Sequence, residues 1–402
     1  MTIDRAVAEK LDAEDPLAHL RDEFVIEDDA LIYLDGNSLG RLPEASRDRV
    51  RQVLEDDWGG HLIRSWPDRW LELPQRIGDL IGTRLLGAAI GEVIMGDSTT
   101  VALYKAISAA LDARAERRVV VIEADNFPTD RYIVESLAQQ RDLEIRWVTE
   151  SGSEGVTLER LDEVIDPSVA VVVLSHVDYR SAALLDMAAM TRAIHDVGAL
   201  GVWDLCHSVG VVPIDLSRDG VDVAVGCTYK YLNGGPGAPS FTYVDRALQP
   251  SLQQPIWGWW GRQDMFEMGP GYDPQPDMRS WLSGTPGVLS LAAVEPGVAM
   301  IADAGVAAIR AKSVALTELA LRLYDDWLAP AGAVLASPRN PDRRGSHLTV
   351  THPDAQHAMP HLVAAGVIPD FRRPDGIRMG FAPLTTRFVD VHDGLAELRA
   401  IL

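Results

Sequence analysis

Two side chains near the middle of the chain have the types and spacing for cofactor chemistry. Asp204 ends a short apolar run at 200–204, and Lys230 lies just past a second one at 221–225. The twenty-six residues from one to the other allow a single strand–connection–strand step. A carboxylate at the end of one buried strand and an amine beyond the next suit a pyridoxal phosphate enzyme. The amine holds the cofactor's aldehyde as a Schiff base, and the acid keeps its ring nitrogen protonated. A buried aspartate and a strand-end lysine are also common without any cofactor, so the pair needs support from elsewhere.

Support comes from segments that also have plain structural readings. In Asp97-Ser98-Thr99-Thr100 the hydroxyls precede a helix-like run. They can be N-caps, or amides and threonine hydroxyls at the positive end of a helix can form a phosphate cup. With the lysine downstream, the cup is the better reading. Phe127 and Asp130 follow a strand-like run at 118–123, and Ser175 and His176 end another at 169–174. Ligands in open α/β sheets gather beyond the carboxyl ends of strands, so Phe127 is placed to stack on a cofactor ring, or simply to cap the core. The turn at 33–43, with Asn37, Ser38 and two glycines, reads as a linker or as a loop holding a carboxylate. Tryptophans at 58–70 fill a core or interface, or make a slot for a flat ligand. Arg378, on a C-terminal strand, is an anion ligand or a solvated surface group.

The elements that must position these groups are legible in outline. Apolar runs at 118–123, 144–148, 169–174, 201–203, 221–225 and 240–244 alternate with helix-like stretches such as 187–197. Continuous apolar strands between helices imply a mainly parallel sheet covered on both faces. Residues 4–24 and most of 44–90 read as helical, the segment 257–287 as irregular, and 288–327 as a long helix with a break at Pro296-Gly297. Strands near 347–350 and 378–381 with a helix near 356–365 make a small C-terminal α/β unit.

Composition excludes several classes. The 402 residues carry a net charge of −22, from 37 basic and 59 acidic side chains. That argues against a nucleic-acid or anionic-membrane partner. There is no GxGxxG turn, Walker sequence, HExxH or internal repeat, so dinucleotide and metal readings lack their signals. The first twenty residues are charged throughout, without a signal-peptide core, and no apolar run reaches membrane-span length. Cys206 and Cys227 read as buried thiols of a reducing compartment, and the expected location is the cytoplasm.

Taken together, the segments YLDGNSLG at 33–40, LIRSW at 62–66, DSTT at 97–100, DNFPTD at 125–130, SHVDYRS at 175–181, DLCHSVG at 204–210, GCTYKYLNGGPG at 226–237, GWWG at 258–261 and GTPG at 284–287 closely resemble kynureninases. The resemblance implies a fold type I pyridoxal phosphate enzyme of the aminotransferase class V group. Its architecture would be a mainly parallel seven-stranded sheet between helices with a smaller α/β C-terminal domain. It divides the chain into an N-terminal segment (1–45) packing with the small domain, a large cofactor domain (46–290) and the small domain (291–402). The implied reaction is hydrolysis of L-kynurenine to anthranilate and L-alanine, in tryptophan catabolism, by a homodimer with no metal. Lys230 would carry the cofactor and Asp204 pair with its ring nitrogen. Thr99, Thr100 and Tyr229 would hold the phosphate, with Trp259 and Thr285 reaching in from the neighbouring subunit. Phe127 would stack on the ring, with Asp130, Ser175 and His207 completing the shell. Tyr229 would relay protons, Arg378 bind the substrate α-carboxylate and Ser38 lie beside the substrate. Trp66, Gly284 and Thr285 would line the aryl pocket, as in bacterial members that prefer kynurenine itself.

One departure stands out. In SHVDYRSAALLDM, Ala182 and Leu185 occupy positions where the family pattern has a glycine and a polar residue or histidine. A glycine there is replaceable unless the backbone needs φ > 0. The change leaves open an enzyme for 3-hydroxy- or alkyl-substituted kynurenines. A cysteine desulfurase would need a mobile, exposed cysteine. An aminotransferase would not require GWWG and GTPG, and a non-catalytic regulator would not need an intact Lys230, Asp204 and Arg378.

Overall fold

The computed structural model describes residues 4–149 and 152–402; the first three residues of the N-terminal segment lie outside it. Thirteen strands are described: β1 (Ile32–Tyr33), β2 (Val93–Met95), β3 (Val119–Glu123), β4 (Glu144–Val148), β5 (Val169–Ser175), β6 (Leu200–Asp204), β7 (Val223–Gly226), β8 (Phe241–Val244), β9 (Val334–Leu335), β10 (His347–Thr351), β11 (Val367–Ile368), β12 (Asp370–Arg372) and β13 (Gly376–Gly380). The large sheet has seven strands in the order β2-β8-β7-β6-β5-β3-β4. Strands β7, β6, β5, β3 and β4 run parallel, and β8 is antiparallel to both its neighbours.

The alternation of side chains along these strands feeds two cores. Val119, Val121, Val172 and Leu174 join one cluster, while Val120, Ile122, Val171 and Val173 join another. A strand that buries both faces must be apolar throughout, which is why β3, β5 and β6 are continuous hydrophobic runs. The chain passes from β3 outward to β4, returns to β5 on the other side of β3, and continues to β6 and β7. The carboxyl ends of β3 and β5 therefore flank the switch point where a ligand crevice opens in such sheets.

Two sequence expectations change. Helix over 4–24 gives way to a helix at Arg5–Ala13 and a 3₁₀ segment at Ala18–Glu23. Pro16 disfavours helical backbone at Asp15, and the Asp15 carboxylate instead accepts from the Leu17 amide at 2.9 Å. The long C-terminal helix breaks at Gly305, whose φ is 81°, and not at Pro296, which stays inside the helix Val288–Ala304. That helix is held by Leu291, Val294, Val298 and Ile301 in the core. Core packing tolerates the one backbone bond the proline removes, whereas the left-handed glycine ends the helix.

The small sheet, in the order β12-β13-β10-β9, sits beside the large one. The N-terminal segment belongs with it in space: β1 pairs with β11, and Asp12 accepts from the Phe388 and Val389 amides at 2.7 and 3.0 Å at the start of the last helix. Among the described residues, no single helix is long and apolar enough to cross a membrane.

Candidate active site

A cavity of about 330 Å3 opens at the carboxyl ends of β3, β5, β6 and β7. Its walls include Ser38, Thr99, Thr100, Phe127, Asp130, Ser175, Asp204, His207, Tyr229, Lys230 and Arg378. Each reaches it through its element. Ser175 and Asp204 are opposed in the β5–β6 register, and Tyr229 and Lys230 follow three and four residues after β7 ends. Thr99 and Thr100 begin the helix Thr99–Asp112, and Phe127 immediately precedes the helix Pro128–Arg141.

Lys230 Nζ lies 2.7 Å from His207 Nε2. Burial, then the nearby Lys230 and Arg378 charges, push the His207 pKa well below its usual value. A neutral imidazole therefore faces the amine. It can accept a hydrogen bond from Lys230. Asp130 is pushed well up, by burial and then by the neighbouring Asp204. Burial, with the nearby cysteines, also pushes the Tyr229 phenol up, leaving it protonated at neutral pH.

Arg378 is almost fully buried and held from several sides. It donates to the Tyr179 carbonyl at 2.7 Å and to Ser38 Oγ at 2.6 Å. Asp370 lies 2.7 Å away and Asp35 3.7 Å away. With its amide oriented to satisfy both neighbours, Asn37 donates to Asp35 and accepts from Arg378 Nε, each at 3.2 Å. This side chain lies 1.8 Å from where a Cβ on Gly380 would stand, so the strand must carry glycine there.

Ser98 occupies the N-cap position of the Thr99 helix with extended backbone, yet makes no side-chain capping bond. The first-turn amides thus remain available to an anion. Around the same cavity, Asn126 Nδ2 and His207 Nδ1 are buried without a hydrogen-bond partner among the described residues. Phe127 keeps 39 % of its surface exposed. An amine, an anion cup, a buried acid pair, an exposed ring and orphaned polar groups fit a flat, phosphorylated, nitrogen-containing ligand. No group of three or more metal-ligating side chains occurs among the described residues.

Four expected site residues do not line this cavity. Trp66 packs against Trp70 and Trp260, at ring distances of 5.1 and 5.0 Å. Trp259 is 40 % exposed, and Gly284 and Thr285 are exposed on the same chain. Other residues of the site had no assigned role in the sequence: Asp35, Tyr179, Asp370 and Arg372. A signal did exist for two of them. Asp370 and Arg372 alternate on β12, and Asp370 stands opposite Arg378 in the β12–β13 register.

Ala182 has φ of 67°. The departure from glycine therefore falls on left-handed backbone, where a Cβ is strained. Leu185 is buried in the main core and outside the cavity lining. Its amide donates to the His176 carbonyl at 3.0 Å. Cys206 lines the cavity but is buried, and its thiol is pushed up by the Cys227 side chain and by burial. It is neither exposed nor poised as a thiolate.

Two solved cysteine desulfurases share this architecture. One from Thermococcus onnurineus superposes with a TM-score of 0.81 at 16% identity, covering 95% of this chain and 97% of that one. One from Escherichia coli gives 0.80 at 17%, covering 96% and 98%. Fold and site thus define a fold type I protein, the architecture of pyridoxal phosphate enzymes. Within that class the sequence is specific. The chain is 43% identical to kynureninases from Burkholderia pseudomallei, over 99% of this chain and 95% of theirs. The same identity holds for the kynureninase from Pseudomonas fluorescens, over 98% and 94%. Residues 309–398 match the kynureninase C-terminal domain family. The chain belongs to the kynureninase family.

Proposed function

We propose that the protein hydrolyses L-kynurenine to anthranilate and L-alanine with bound pyridoxal phosphate, as a step of tryptophan catabolism. One observation carries the reading: Lys230 and Asp204 converge with the sequence-distant Arg378 on one cavity with an uncapped helix N-terminus. Lys230 would hold the cofactor's aldehyde, Asp204 its ring nitrogen, and Thr99, Thr100 and Tyr229 its phosphate. Phe127 would cover the ring, with Asp130, Ser175 and His207 around it. The cofactor supplies a sink for the electrons released at the carbon beside the substrate amine.

The chain's own groups do the rest. Arg378 takes the substrate α-carboxylate, with Ser38 beside it, in a guanidinium orientation fixed by the Tyr179 carbonyl. Lys230, with its amine free, would be the base for the α-proton, and neutral His207 positions it. Water adds at the γ-carbonyl, and the Cβ–Cγ bond breaks as the aryl carboxylate leaves. Tyr229, kept protonated, is the donor at the carbonyl and at Cβ.

The same reading makes the enzyme a cytoplasmic homodimer. Trp259 and Thr285 would complete the neighbouring subunit's cofactor site, and Trp66, Gly284 and Thr285 its aryl pocket. Their exposure or position outside their own chain's cavity supports this. Of the division at 1–45, 46–290 and 291–402, the β1–β11 pairing and the separate core from Leu316 onward support joining the N-terminal segment to a small unit, while Leu291, Val298 and Ile309 pack in the core of the large sheet.

The decisive assay mixes the cofactor-loaded enzyme with L-kynurenine or 3-hydroxykynurenine and follows aryl-product fluorescence and alanine. Faster cleavage of kynurenine is expected. Preference for the hydroxylated substrate would overturn the aryl-pocket assignment, and no cleavage of either would sink the reaction itself.

A further inference from the structure

Beside the active site lies a second crevice of about 290 Å3, bounded on one side by the 180–181 turn and on the other by the small sheet. Among the described residues its lining includes Arg180, Arg372 and Arg373, against a single carboxylate, Asp375. A net positive hollow is unexpected on a chain of net charge −22. Such a hollow concentrates small anions.

The arginines are built into place. Tyr179 lies between two of them, with Arg180 5.6 Å and Arg372 5.5 Å from its ring centroid. Arg180 Nε also donates to the Tyr179 hydroxyl at 2.8 Å. Arg372 is tied to Asp370 at 2.7 Å, the same carboxylate that holds Arg378. Its Nε is buried without a hydrogen-bond partner among the described residues. The Arg373 guanidinium is exposed and makes no hydrogen bond or ion pair among the described residues. Arg372 lines the catalytic cavity as well as the crevice, so it borders both spaces, while Tyr179 lines the catalytic cavity alone.

We propose that this crevice is a carboxylate-binding vestibule through which the aryl carboxylate product leaves. The identity of the native ligand rests on the proposed reaction; the anion site itself does not. Hydrolysis converts a neutral aryl ketone into a carboxylate, so a product with a new negative charge must depart from a cavity whose Arg378 already serves the α-carboxylate. Arg372, facing both spaces, receives it from the reaction side. Arg180 and Arg373 hold it on the outer side.

The test uses benzoate as probe, with uncharged benzamide as the control of equal shape, titrated into the holoenzyme by calorimetry. Benzoate is expected to bind, benzamide not, and raised salt to weaken benzoate. Arg373→Gln is expected to weaken benzoate by about fivefold, as loss of one exposed charge-assisted contact should. Arg373→Lys should recover part of that loss. The product's inhibition constant in the kinetic assay should rise in parallel. Because Arg373 does not line the catalytic cavity, benzoate held only at Arg378 would bind Arg373→Gln as tightly as wild type. That result, or equal binding of benzamide, overturns the vestibule. If kynurenine is not cleaved at all, the reaction fails while benzoate binding still decides the site.

Discussion

Ala182, where the family pattern has a glycine, holds left-handed backbone with φ of 67°. Its amide donates to the Asp178 carbonyl at 3.0 Å and its carbonyl accepts from Gly345 at 2.8 Å, closing the turn that aims the Tyr179 carbonyl at Arg378. Ala182→Gly relieves about 1–2 kcal/mol of backbone strain and loses part of that to unfolded-chain entropy, for a net gain of about 0.5–1 kcal/mol. A raised denaturant midpoint at unchanged slope checks this; an unchanged midpoint contradicts it. Asp35 was legible only as a member of a turn, because burial is a property of the folded chain. Burial pushes its pKa up to about 6. Below that pH it is neutral; above it, an anion 3.7 Å from Arg378 competes with the substrate carboxylate. KM should therefore rise as pH increases through about 6, and Asp35→Asn should remove that step while leaving the rest of the profile. Persistence of the step in the variant would assign it to another group.

Among elements, those that bury both faces announced themselves. Strands β3, β5 and β6 are long apolar runs, whereas β2 is three residues and β9 only two, too short for any periodicity to register. In sequence the helix start at Thr99 reads as a cap or as an anion cup; in the fold its N-cap Ser98 makes no side-chain capping bond. The double variant Thr99→Val/Thr100→Val keeps the helix but loses two hydroxyls. It should weaken pyridoxal phosphate about 10–100-fold while leaving pyridoxal, which lacks the phosphate, unaffected. Equal weakening of both in a binding titration would place the threonines elsewhere. Tertiary approach of elements was not legible at all. Gly40 donates its amide to the Tyr229 carbonyl at 2.8 Å, and a Cβ there would stand 2.3 Å from the Lys230 carbonyl. Gly40→Ala must push the N-terminal turn off the lysine segment. A stability loss of about 1–3 kcal/mol is expected, accompanied by weaker cofactor absorbance; a variant as stable as wild type would show that the turn yields freely.

At the scale of the whole molecule, the proposed homodimer would complete a site to which one chain contributes only part. Trp66, Trp259, Gly284 and Thr285 stay outside the cavity of their own chain, although their sequence segments match the family. Nothing in sequence periodicity distinguishes a residue that serves its own cavity from one that serves a neighbour's. Large apolar side chains near Trp259 in the chain are also exposed: Trp257 is 61 % exposed, Phe266 67 % and Met268 78 %. Aromatic and methionine side chains of this kind are enriched at interfaces. The dimer reading makes a prediction that no single-chain site can mimic. Lys230→Ala and Trp259→Ala should each be nearly inactive alone. If Trp259 serves the partner's site, mixing the two by co-expression creates dimers in which one site carries both defects and the other neither. Random assembly makes half the dimers mixed, each with one intact site, so about a quarter of wild-type turnover should return. If Trp259 serves its own chain, every site in the mixed dimer keeps one defect, and activity stays at the level of the single variants.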